Sequence, residues 1–268
     1  MSEEGYNLDD IIKKSFDEAK EYFNKSDIKV EDDLKLIIVE SPEVLKQKYG
    51  EIKESTAGIY DSETKEIYII KSALKNIINR ELNNPNKFFI GNLFTITRDN
   101  ILWPVYKNDN DMEKDIAKAV IKAVVIHEIL HHIASKGDWK ASFIEYIAYL
   151  DINGLLAYPE VYKIMEENTK RCERFIKEKN PSPYTLGACF ANDIIYAYEN
   201  ILNKNKESPK LNIKDTIEKF KLISEEEGMD ITKMVNTLLK DYVNIKNMLN
   251  IKANMLSCLL EKLPKWTI

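Results

Sequence analysis

The sequence predicts an α+β fold, and three observations carry that expectation. Every segment with strand character lies before residue 110. From Asp111 onward, apolar residues recur at helical spacing almost without interruption. Gly and Pro number only 8 each in 268 residues, too few for a turn-rich all-β chain. Strands first and helices after is the α+β pattern. The expected division is an N-terminal α+β part over 1–110 with a small, mainly antiparallel sheet, a helical part over 111–179, and a further helical part over 180–268.

The elements follow in order. Asn7 before Leu8-Asp9-Asp10 reads as a helix cap with an acidic first turn, opening a helix to about Phe23. Leu34–Glu40 is a strand, and Ser41-Pro42-Glu43 then opens a short helix with Pro at its first position. Thr56–Tyr60 and Glu66–Ile70 flank a polar stretch and read as a β-hairpin. Residues 72–82 read as a helix, and 93–97 and 101–106 as strands, with Pro104 confining the latter to a sheet edge. Helices are expected over 111–135, 138–157, 160–178, 184–203, 211–226 and 230–262.

Composition narrows the partners. Lys plus Arg is 39 against 44 Asp plus Glu, a net charge of -5. A mildly acidic chain has no electrostatic reason to seek nucleic acid or an anionic membrane surface. Arg occurs only at 80, 98, 171 and 174, so phosphate or base recognition is poorly supplied. The three cysteines, Cys172, Cys189 and Cys258, show no CxxC spacing. Buried inert thiols in a reducing cytoplasm are expected, without a disulfide framework. The N-terminal residues lack the features of a secretory leader, and no apolar run approaches a membrane span.

Histidine is the informative count. All three lie within six residues, at His127, His131 and His132. Residues 127–131 read His-Glu-Ile-Leu-His. Four residues on a helix turn by about 40°, so His127 and His131 can reach one metal ion. Glu128 lies about 100° away and need not be a ligand. Ala117, Val120, Ile121, Val124, Val125, Ile126, Ile129 and Leu130 surround the helix axis, and Lys118 and Lys122 mark a narrow polar stripe. Such a helix is buried and carries its imidazoles and carboxylate inward, where unpaired polar groups are costly. His132 lies about 100° from His131 and is expected to play a supporting structural role.

Zinc sites that do chemistry usually have three protein ligands. With every His in the motif, the third must be a carboxylate. Gly137 and Asp138 read as the end of one helix and the cap of the next, forming an αα-hairpin. His131 lies about 7–9 Å before that turn and Glu145 about 10 Å after it, nearly the same level. Glu145 is the expected third ligand. Asp151 falls on another face of that helix, and Asp138 is expected to cap.

This constellation resembles the gluzincin metallopeptidases, and more closely the ImmA/IrrE-type metallopeptidases and minigluzincins. The resemblance rests on the hairpin Ala57–Ile69, on His127–His132, and on Glu145-Tyr-Ile-Ala148 continuing to Leu155-Leu-Ala-Tyr-Pro159. It implies a zincin-like fold and a zinc-dependent endopeptidase acting on peptide or protein substrates. In that reading His127, His131 and Glu145 bind zinc, and Glu128 is general base towards a metal-activated water. An edge strand beside the active helix would hold the substrate, with 93–97 the segment expected. Gluzincins often place Asp four residues after the ligand Glu, where this chain has Tyr149. A side-chain oxyanion donor cannot be His here, so Tyr184 is preferred and Tyr158 is second. The alternative is a non-catalytic zinc-binding regulator whose helical C-terminal region meets a partner. In that region Met234, Leu238, Leu239, Met248 and Met255 share helical spacing.

Overall fold

The computed structural model describes residues 6–84, 87–98, 100–107, 111–134, 137–177, 182–202 and 213–221. Helix α1 spans Leu8–Lys25, and the Asn7 side chain accepts a hydrogen bond from the Asp9 backbone N–H at 3.0 Å. Ile12, Phe16, Ala19 and Phe23 form its single buried stripe, the 3.6-residue period made visible. Strand β1 is Lys35–Val39. A 3-10 turn over Pro42–Leu45 leads into the short helix α2, Lys46–Tyr49.

Strands β2 (Gly58–Asp61) and β3 (Glu66–Ile70) form the expected hairpin. Its turn is closed by Asp61, whose carboxylate accepts from the N–H groups of Glu63 and Thr64 at 2.9 and 3.3 Å. Lys48 and Tyr49 of α2 reach the same carboxylate at 2.6 and 2.5 Å and hold it well below the usual carboxylate range. Strand order is β1-β3-β2, with β1 parallel to β3 and β2 on the outside.

Helix α3 (Lys71–Leu82) leads to a second sheet, ordered β4-β5-β6, from Phe89–Ile90, Leu93–Arg98 and Ile101–Tyr106. Pro104 lies on outer strand β6, as its missing N–H requires. Two expectations are corrected here. The strands form two three-stranded sheets instead of one. Residues 93–97 do not form an outer strand: β5 is the middle strand of its sheet, largely buried, with β6 on one side and β4 pairing Leu93 and Phe94 on the other. The two-residue strand β4 carried too little pattern to be read from sequence.

Helix α4, Met112–Ile133, is buried on nearly every side and packs against α1, α3, β2 and β3. Its polar stripe is paired, with Lys122 2.7 Å from Glu18 and 3.2 Å from the Asn153 side-chain oxygen. Helix α5, Asp138–Ile152, stops five residues before the expected end. Gly154 takes φ 63, and a 3-10 turn over Leu155–Ala157 follows. Helix α6 (Pro159–Lys177) starts on a proline, and α7 (Pro183–Leu202) and α8 (Ile213–Lys221) complete the described helices.

The chain divides into two compact units. One comprises Met1–Arg98, Leu102–Ile133 and Ala148–Val161, the other Asp99–Ile101, Ala134–Ile147 and Tyr162–Ile268. In the second unit a buried polar network links three helices. Tyr146 donates to Asn192 at 3.1 Å, Asn168 donates to the Tyr146 oxygen at 3.3 Å, and Asn192 donates to the Met165 carbonyl at 3.0 Å. A disulfide joins Cys172 of α6 to Cys189 of α7, their Cα atoms 5.6 Å apart. This corrects the expectation of inert thiols: adjacent helices, not sequence spacing, bring the two sulfurs together. The helix expected over 230–262, with its five apolar positions, and Cys258 lie outside the described residues. Among the described residues no helix is long and apolar enough to cross a membrane.

Candidate metal centre

The last turns of α4 carry His127, Glu128, His131 and His132. The two Nε2 atoms of His127 and His131 lie 3.0 Å apart, with the rings nearly perpendicular at 86°. Two nitrogens on one tetrahedral zinc ion, each bonded at about 2.05 Å, lie about 3.3 Å apart. The pair is therefore within a few tenths of an ångström of ligand spacing. His127 is 3% exposed. Burial, then the charges of His131 and Arg98, hold its pKa well below the usual imidazole value, so it is neutral, the form a metal requires.

Asp138 opens α5, five residues past the end of α4. Glu145 is a buried carboxylate two turns further along α5, 1% exposed. Sequence had placed Asp138 correctly at the helix start.

Glu128 is buried. Its side chain lies against Gly58 of β2, so closely that a Cβ on Gly58 would sit 2.5 Å from Oε1. His132 turns to a different partner, its Nδ1 2.9 Å from the Tyr60 hydroxyl and its ring edge-on to the tyrosine. Burial lowers the His132 pKa.

Of the remaining sequence candidates, Tyr184 is the second residue of α7 and half-buried. Tyr158 packs its ring against Tyr106 at 5.5 Å. Asp151 is exposed and accepts from the Tyr22 hydroxyl at 2.8 Å, the different face that periodicity required. Tyr149 donates to the Pro104 carbonyl at 3.1 Å and packs edge-on to Trp103, so it anchors β6. Gly58 and Tyr60 were not legible as site residues, because their contacts cross about 70 residues of chain.

Comparison with protein-family models, with curated proteins and with solved structures returns no match.

Proposed function

We propose that the chain is a zinc-dependent peptide hydrolase of zincin-like fold. The observation that carries this reading is the convergence of the Nε2 atoms of buried His127 and half-buried His131, 3.0 Å apart, with the buried carboxylate of Glu128 at the next helix position. An ion held there supplies a Lewis acid and lowers the pKa of water near neutrality. His127 and His131 hold it, and α5 contributes the third donor. Glu145, a buried carboxylate, is the expected donor, and Asp138 at the start of α5 is the other candidate. Glu128 takes a proton from the attacking water and returns it to the leaving amine. Tyr184 is the hydroxyl assigned to the developing oxyanion. Strand β2, outermost in its sheet and packed on α4, replaces 93–97 as the strand an extended peptide would pair with.

The test is elemental analysis beside casein hydrolysis. Wild type is expected to carry one zinc per chain and to lose activity to a chelator. H131A should lose the metal. E128Q should keep the metal and lose roughly a thousandfold or more in rate, on the scale of a removed general base and its positioning effect. Of D138N and E145Q, at least one should lose tight zinc binding. Full proteolysis by E128Q, or no zinc bound under saturating supply, defeats the reading.

A further inference from the structure

Strand β2 and helix α4 meet in matched register. Gly58 faces Glu128, and Tyr60, two residues on, faces His132, one turn on. Two residues of strand advance about 6.8 Å and four of helix about 6.0 Å, so one strand face can follow one helix face for this distance. His127 and His131 share a different face of α4. The helix therefore presents its imidazole pair in one direction and its carboxylate to the strand in another.

At position 58 a side chain has no room. A Cβ there would lie 2.5 Å from Oε1, 2.7 Å from Cγ and 2.8 Å from Cδ of Glu128, all inside contact distance. Gly58 has no positive φ, so turn geometry does not explain the glycine. Glu128 is itself buried, 6% exposed. We propose that Gly58 is a positioning residue: the space left by its missing side chain holds the Glu128 carboxylate in place, with the Tyr60–His132 contact fixing the register. The inference rests on the reading of Glu128 as general base, but its structural core can be tested without it.

The experiment is a double-mutant cycle in thermal stability on the full chain, with G58A made in wild-type and E128A backgrounds. Glycine in a strand is entropically costly, so alanine is neutral or stabilising wherever it fits. With Glu128 present, G58A should lower the melting temperature. With E128A, the same substitution should leave it unchanged or raise it. G58A that folds only in the E128A background gives the same answer. Equal loss in both backgrounds, or failure to fold in both, overturns the proposal. Casein hydrolysis supplies the second arm: G58A should keep its zinc content and KM while kcat falls about a hundredfold, the usual cost of about 1 Å of misplacement. Wild type inactive towards casein would count against the hydrolase reading alone, because the stability cycle decides Gly58 regardless.

Discussion

His127 shows what burial does to one side chain. Its pKa lies well below that of an exposed imidazole, and the unfolded chain restores the ordinary value near 6.5. Below that pH the unfolded state takes up a proton that the folded state refuses, so folding stability falls as pH drops. The same sign holds for His132, whose pKa is also lowered by burial. For metal-stripped protein, denaturant titrations between pH 7 and pH 5.5 should show stability declining with acid. Each such group contributes at most about 1.4 kcal/mol per pH unit. H127Q should flatten that slope, and an unchanged slope would mean His127 titrates normally. Metal bound to neutral imidazole would strengthen the effect, since protons then compete with the ion.

At the scale of elements, α4 takes its position from apolar residues on almost its whole circumference, which sheet and helices cover from several sides. The second unit is held differently. Gly187 of α7 approaches α5 so closely that a Cβ would lie 2.1 Å from the Trp139 carbonyl oxygen and 2.8 Å from the Phe143 nitrogen. Backbone cannot move aside as a side-chain end can, so this crossing requires glycine. Asn168, Asn192 and Tyr146 satisfy one another in the same core, and Cys172–Cys189 ties α6 to α7 across 17 residues. A loop of that length loses roughly 2–4 kcal/mol when its disulfide is reduced. Dithiothreitol should therefore lower the melting temperature of wild type and leave C172A/C189A unaffected. A wild type indifferent to reductant would show the bridge does not form in solution.

For the whole molecule, the proposed zinc site would link metal binding to folding by mass action. An ion that binds only the folded chain, at a thousand times its dissociation constant, stabilises by about 4 kcal/mol. Calorimetry should show a zinc-dependent rise in melting temperature for wild type, absent in H131A. Equal rises in both would place the bound zinc away from the two imidazoles.

How much of this the residues declare depends on how far apart in the chain the contacting groups lie. The α+β class, the cap at Asn7, the 58–70 hairpin, the buried α4 and the convergence of His127 with His131 were all legible, because each is decided within one or two turns of helix or one hairpin. Periodicity separates inward from outward positions over such distances, and burial follows from it. The split into two sheets, the central place of 93–98, the Cys172–Cys189 bridge and the meeting of Gly58 with Glu128 were not legible. Each joins segments whose relative placement is set by packing of whole elements, and no local propensity encodes it. The sequence alone therefore specified the converging imidazole pair; which strand lies beside the neighbouring carboxylate was decided only when distant apolar faces closed on one another and brought β2 against α4.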